Sequence, residues 1–302
     1  MTRRLLVLGR SGQLATSLAR LAEPAGWRAE CLDRSEADFT APDQLVGAIA
    51  GREGVDAIIN AVACNDVDGA ENDDRPAQAI NALAPARLAQ ACAARDIPLL
   101  HVSTDYVFPG RSGGAYRETD EARPLNAYGR SKLDGETAVL SASHRHAVFR
   151  TAWVFNGTHN NFVTTMLRQI GVREEVRVVA DQIGNPTHAD TLASGLLQAA
   201  GCLAAGSAQG GLFHLCSPGP VSRSDFAAHI YRAASHHTTD CPRVIPIPSA
   251  DWPSPAQRPA NSSLDCKLFE THFQHTLPHW RAGVEQAVSQ WAEGWAGTPS
   301  SP

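Results

Sequence analysis

The chain has 302 residues, a formal net charge of −5 at pH 7 and 43% hydrophobic content, enough to bury a substantial core as one large α/β unit with a smaller lobe. That acidic balance, with a pI near 6.2, argues against a nucleic-acid backbone as partner, and no run approaches the roughly eighteen apolar residues of a membrane span. Seven cysteines, an odd number with no C-x-x-C spacing, read as mostly buried, reduced thiols of a cytoplasmic protein.

Arg3 to Leu8 reads as a short buried strand, its apolar run too short for a secretory signal. Gly9-Arg10-Ser11-Gly12-Gln13-Leu14-Ala15 follows and leads into an apolar-periodic helix containing Leu18 and Leu21. Strand, glycine turn and helix in that order offer backbone N–H groups and a helix N-terminus to a pyrophosphate, while Gly9, Gly12 and small Ala15 permit a tight turn. The spacing is G-x-x-G-x-x-A, which taken alone is also compatible with ordinary loop glycine. A second strand, Arg28 to Leu32, ends at Asp33-Arg34, where dinucleotide folds read the adenosine ribose. Asp33 suits a free 2′-hydroxyl and favours NAD, whereas Arg34 suits a 2′-phosphate and favours NADP. NADPH is the expected coenzyme, with NADH left open, and Asp38 and Phe39 join Asp33 and Arg34 as expected cofactor-binding residues.

A third strand, Val55 to Ile59, ends at Asn60-Ala61-Val62-Ala63, small residues suited to a cofactor lying across a strand end. A fourth, Pro98 to Val102, ends at Ser103-Thr104-Asp105. Helical stretches at Asp43 to Ala50 and Pro76 to Ala94 separate them, so the first half predicts an α/β fold with a Rossmann-type, doubly wound parallel sheet. Sites in such sheets lie beyond the carboxyl strand ends.

Of the 26 basic residues only Lys132 and Lys267 are lysines. A lysine retained in an arginine-biased chain suggests a task that needs a compact ammonium rather than a broad guanidinium fork. Lys132 stands four residues after Tyr128, and Pro124-Leu125-Asn126-Ala127 predicts a helix beginning near Tyr128 that puts both side chains on one face. A cation about 4 Å from a phenol at an effective dielectric near 20 contributes about 4 kcal/mol, which would lower its pKa by about three units. Such a phenol protonates an oxyanion forming at a carbonyl. An exposed helical pair is the plain alternative for the motif on its own.

Together, the glycine pattern, Asn60-Ala61, Ser103-Thr104 and Tyr128-x-x-x-Lys132 resemble the extended short-chain dehydrogenases/reductases. Within that group, Ser103-Thr104-Asp105-Tyr106-Val107-Phe108, the stretch from Pro124 to Lys132, and Phe149-Arg150-Thr151-Ala152-Trp153-Val154-Phe155 are similar to the dTDP-4-dehydrorhamnose reductase family. So are Asn160-Asn161-Phe162, the stretch from Asp181 to Thr187, and Arg258-Pro259-Ala260-Asn261-Ser262, and the resemblance runs from Leu5 to about Trp291. It implies reduction of the 4-keto group of dTDP-4-dehydro-6-deoxy-L-mannose to dTDP-L-rhamnose, with hydride from nicotinamide C4. On that resemblance Tyr128 donates the proton, Lys132 lowers its pKa and binds the nicotinamide ribose, and Thr104 orients the carbonyl. Gly9, Arg10, Ser11, Gly12, Gln13, Leu14, Ala61, Val62, Ala63 and Ser103 would surround the cofactor. Val67, Asp105, Tyr106, Trp153 and Asn161 would line the sugar-nucleotide pocket, and Arg258 would meet the diphosphate. Without the family context, Trp153 reads as core and Arg258 as a solvated loop arginine.

The chain also departs from the family. Cys64-Asn65-Asp66 replaces a commoner pattern after Ala61-Val62-Ala63, leaving the contacts there open. Some members dimerise through a divalent metal held by three glutamates, whose matching positions here are Ser17, Asp190 and Gln290. Two carboxylates are missing, so no metal and no metal-bridged dimer is expected; a monomer or weak homodimer is. A nucleotide-sugar dehydratase is disfavoured because Tyr106 stands where dehydratases carry a second acid after Asp. Two alternatives remain: a reductase of another nucleotide-linked 4-keto-6-deoxy sugar, and a non-catalytic dinucleotide-binding subunit resembling the methionine adenosyltransferase beta subunit.

Beyond Trp153 the regular alternation stops. Residues 1–153 with about 189–216 are expected to form the dinucleotide domain, and about 154–188 with 217–302 the substrate lobe. Pro242 to Pro259 reads as an ordered loop closing over substrate. His272, His275 and His279 have helical spacing, but Pro278 interrupts a helix and no acid or thiol ligand is obvious, which disfavours zinc. Gly297 to Pro302 is expected to fray.

Overall fold

The computed structural model describes residues 2–296; the end expected to fray, 297–302, lies outside the described residues. Strands β1 (Arg3–Leu8), β2 (Trp27–Leu32), β3 (Ala57–Asn60), β4 (Leu99–Thr104) and β5 (Ala147–Thr151), with a last strand Gly211–His214, form one six-stranded sheet. Its order is Gly211–His214, β5, β4, β3, β1, β2, and every pairing is parallel.

A parallel sheet needs both faces covered, and alternate residues of each strand supply two opposite faces. Leu5, Val7, Ala57 and Ile59 point to one core, shared with the helices Gln13–Ala22 and Ala189–Ala204. Leu6, Leu8, Ile58 and Leu99 point to the other, packed on the helices Pro42–Ala50 and Ala84–Ala94 and on Val139 of the helix Ala127–Ala142. Gly9, where β1 turns toward its helix, has φ +109°, a region open to glycine.

The helix expected from Pro76 to Ala94 is interrupted. Arg75–Gln78 and Ala84–Ala94 are α-helical, but Ala79–Leu83 between them is a wider π turn. Pro85 has no N–H to donate to the Asn81 carbonyl four residues earlier, so the helix widens there. That region packs against Gly135 of the helix Ala127–Ala142.

A separate apolar cluster gathers Phe155, Val163, Phe226, Ile230, Trp280 and Val284. It is built by the helices Phe162–Leu167, Arg223–Ala234 and Trp280–Ala296, beside a parallel ribbon of Glu175–Val179 with Arg243–Ile247. Phe269, Phe273 and Leu277 instead return to the sheet and join the core of Phe149 and Phe213. Among the described residues no helix is long and apolar enough to cross a membrane.

Candidate active site

Two adjoining clefts open at the carboxyl ends of β1, β3 and β4. One is lined by Gly9, Arg10, Ser11, Asp33, Arg34, Asp38 and Phe39. The other, of about 460 Å³, is lined by Gln13, Leu14, Ser103, Thr104, Asp105, Tyr128, Lys132, Trp153 and Asn161. Gly12, Ala61, Val62, Ala63 and Asn65 border both, so the clefts form one continuous groove. Asn60 shapes the shared rim: its Oδ1 accepts from the Val62 N–H at 3.0 Å, and its Nδ2 meets His101 Nδ1 at 3.0 Å.

At the ribose end, Asp33 and Arg34 differ in commitment. Asp33 accepts from Arg10 at 2.6 Å and from the Ser35 hydroxyl and N–H, and the Ser35 hydrogen bonds hold its carboxyl below the usual range. Arg34 is 79% exposed in its side chain and only touches Asp38 at 3.7 Å. The exposed, loosely held guanidinium and its place in the groove fit a 2′-phosphate better than the engaged carboxylate fits a 2′-hydroxyl.

At the other end the helix Ala127–Ala142 begins at Asn126, whose Oδ1 accepts from the Gly129 N–H at 2.8 Å. This cap sets Tyr128 and Lys132 on the groove-facing side, and both are buried, at 8% and 1% exposure. The Tyr128 hydroxyl points to Asn65 Oδ1 at 3.4 Å, and its ring meets Tyr106 edge-on at 6.0 Å between centroids. Thr104, the last residue of β4, accepts from the Tyr106 N–H at 3.2 Å and donates to Asp105 at 3.2 Å. Asp105 also accepts from Ser262 at 2.5 Å; burial raises its pKa to about 6 against the pull of those hydroxyls and of nearby Arg223.

The expected electrostatic pairing of Tyr128 and Lys132 is corrected by the structure. Lys132 Nζ donates to the main-chain carbonyl of Val102 at 2.7 Å, and burial pushes its pKa down to about 8. Burial pushes the Tyr128 phenol up, not down; the Thr104 hydroxyl opposes the shift and Asp105 adds to it. Desolvation is the leading cause of both shifts, and spacing along a helix carries no information about it. The result is a neutral phenol at neutral pH, the form that can donate a proton.

Ser103 lines the groove, but its hydroxyl donates at 2.5 Å to Glu136, which is held by Arg150 in a buried ion pair at 2.6 Å. Trp153 takes φ +45° and lays its ring under the Arg223 guanidinium, 3.6 Å from centroid to Cζ. Asn161 caps the helix Phe162–Leu167 and contacts Gln13 Oε1 at 3.4 Å, joining the glycine turn to the far wall. Arg258 grips Asp68 with both Nη atoms, at 3.2 and 2.8 Å, which fixes the proline-rich stretch against Val67 and its neighbours. Arg258 and Val67 do not border the 460 Å³ cleft itself, and Tyr106 bridges the gap as a neighbour of Tyr128 and Val67.

Sequence reasoning missed Asn65 as a partner of Tyr128, Asp68 as the anchor of Arg258, and Arg223 altogether. Arg223 is far along the chain, and only its tertiary place in the cleft marks it. The three spaced histidines do not converge: His272 meets the Gln209 carbonyl, His275 lies near Ser194, and His279 lies against Trp280. Among the described residues no group of three His, Cys, Asp or Glu side chains is placed to hold a metal. Asp190 instead contacts Arg20 and Gln286.

Residues 3–293 match the family model described as the RmlD substrate binding domain. The chain is 37% identical to a dTDP-4-dehydrorhamnose reductase of Sinorhizobium fredii, covering 96% of this chain and 97% of that one. It is 40% identical to the enzyme of that name from Mycobacterium tuberculosis, covering 95% and 92%. Among solved structures, the dTDP-4-dehydrorhamnose reductase of Bacillus anthracis in complex with NADP superposes with a TM-score of 0.88 at 30% identity, covering 96% of this chain and 100% of that one.

Proposed function

The chain belongs to the dTDP-4-dehydrorhamnose reductase family, and from that membership we infer that it reduces the 4-keto group of dTDP-4-dehydro-6-deoxy-L-mannose to dTDP-L-rhamnose with NADPH. One observation carries the reading: Thr104 and the neutral phenol of Tyr128 meet in the groove that begins at the Gly9 turn.

The groove suits a dinucleotide from the exposed Arg34 at one end to Lys132 at the other, and the bound nicotinamide supplies the hydride. Thr104 donates to the substrate carbonyl oxygen and fixes its direction. Tyr128 holds its proton at Oη until negative charge grows on that oxygen, then releases it. Lys132 binds the nicotinamide ribose and adds a positive charge beside the phenolate that forms. Gly9, Arg10, Ser11, Gly12, Gln13, Leu14, Asp33, Arg34, Asp38, Phe39, Ala61, Val62, Ala63 and Ser103 surround the cofactor. Val67, Asp105, Tyr106, Trp153 and Asn161 shape the sugar-nucleotide pocket, with Arg258 toward the diphosphate.

In this reading residues 1–153 with about 189–216 form the dinucleotide domain, and 154–188 with 217–302 the substrate lobe. The placement of Gly211–His214 on the sheet supports it, while Lys267–Phe273 belongs to the substrate lobe by position and to the sheet core by packing. The protein acts in the cytoplasm as a monomer or weak homodimer, without a bridging metal and without nucleic acid. Its free cysteines support the compartment, and its net charge of −5 supports the exclusion of nucleic acid. Purified protein with NADPH and the keto-sugar, followed by NMR of the product, tests the function: dTDP-L-rhamnose in amounts equal to the NADPH consumed is expected. Selective turnover of a UDP- or GDP-linked keto-sugar would overturn the nucleotide assignment.

A further inference from the structure

Arg223 is a charged side chain in the larger cleft whose chemistry the proposed reaction leaves unused. It opens the helix Arg223–Ala234 and lines the cleft, where its guanidinium lies over the Trp153 ring at 3.6 Å and near Phe162 at 5.2 Å. Among the described residues no carboxylate stands within ion-pair distance of it, in contrast to Arg258, which holds Asp68 at 2.8 Å. Asp105 is nearby but engaged by Thr104 and Ser262. The Tyr106 phenol lies near both guanidiniums.

Asp68 already balances Arg258, so the charge left without a carboxylate partner beside the open cleft is that of Arg223. Aromatic stacking fixes the plane of the Arg223 fork and leaves its N–H edges for a ligand. A planar guanidinium with no carboxylate partner is suited to bidentate contact with a phosphoryl group. We propose that Arg223 is the second arm of a diphosphate clamp, acting with Arg258 and bridged by Tyr106, and that it determines affinity for the charged linker of the nucleotide sugar. This deepens the reading above and rests on it.

Calorimetric titration of the NADP-loaded protein with thymidine, dTDP, UDP and GDP separates the two ideas. Arg223→Gln is expected to weaken dTDP binding about tenfold to a hundredfold while leaving thymidine binding and NADP binding unchanged, and Arg223→Lys to recover part of the loss. Unchanged dTDP affinity in Arg223→Gln, or an equal loss for thymidine and dTDP, would overturn the clamp. If UDP or GDP binds in place of dTDP with the same dependence on Arg223, the thymidine reading fails and the clamp stands. If no nucleoside diphosphate binds the wild-type protein, both fall. Should Arg223→Gln unfold, Arg223→Lys decides, since a clamp predicts weaker dTDP binding from it with thymidine unaffected.

Discussion

Lys132 Nζ donates to the Val102 carbonyl at 2.7 Å, tying the helix that carries Tyr128 to the strand that ends in Thr104. A straight ammonium reaches that carbonyl from a fully buried position; a guanidinium is broader and cannot present a single compact donor there. Lys132→Arg is therefore expected to lose at least about tenfold in kcat/KM despite the retained charge. Steady-state kinetics at saturating NADPH check this, and an arginine variant with full activity would contradict it. Because burial holds the Lys132 pKa down to about 8, the cation is present below that pH and lost above it. The kcat/KM profile should accordingly fall as pH rises through about 8, whereas Tyr128, shifted upward, stays protonated across the same range.

Asp105 has the opposite sign from an ordinary salt-bridged acid. Its folded pKa is raised to about 6 by burial, so between about pH 4 and pH 6 the folded form holds a proton that the unfolded form has released. Stability contributed by this group falls as pH rises through that window, by up to about 3 kcal/mol at neutral pH. Asp105→Asn carries no such slope. Chemical denaturation at pH 4 and pH 7 should show the variant gaining on wild type at the higher pH, and parallel stability curves would refute the assignment.

Gly135 lies where a Cβ would sit 2.1 Å from the Asn81 carbonyl in the π turn. Neither partner can yield without moving backbone, so Gly135→Ala should destabilise by about 1–3 kcal/mol and displace the helix bearing Tyr128 and Lys132. Loss of melting temperature together with loss of turnover is expected; an unchanged melting temperature would show that the two helices tolerate separation.

Asp68→Asn leaves Arg258 without its fork partner. Both groups are partly solvated, 25% and 40% exposed in their side chains, so global stability should change by no more than about 1 kcal/mol. The consequence expected is positional: a looser proline-rich stretch and a raised KM for the nucleotide sugar with kcat nearly preserved. A matched fall in kcat would move Arg258 into the chemical step.

Much of this arrangement is legible from local pattern. The continuous apolar run Leu5 to Leu8 and the glycines after it predict a strand and phosphate turn, and Tyr128 with Lys132 announces a shared helix face. The π turn left a readable signal in Pro85, whose missing N–H removes one helical bond, yet the plain 3.6 periodicity obscured it. The Tyr128 pKa was misread for a different reason: spacing gives separation along a helix but not burial, and desolvation decides the direction here. Arg223 lay beyond sequence reasoning because stacking on Trp153 and proximity to Tyr106 exist only after residues far apart in the chain meet.

The central claim is that Tyr128 supplies the proton during reduction at the end of the groove. The most direct measurement compares NADPH oxidation at 340 nm by wild type and Tyr128→Phe with dTDP-4-dehydro-6-deoxy-L-mannose, alongside NADPH titration of both proteins. The account predicts turnover reduced by about 10²- to 10⁴-fold in the variant with coenzyme affinity nearly unchanged. Equal turnover by Tyr128→Phe, or no oxidation by wild type despite tight NADPH binding, would contradict it.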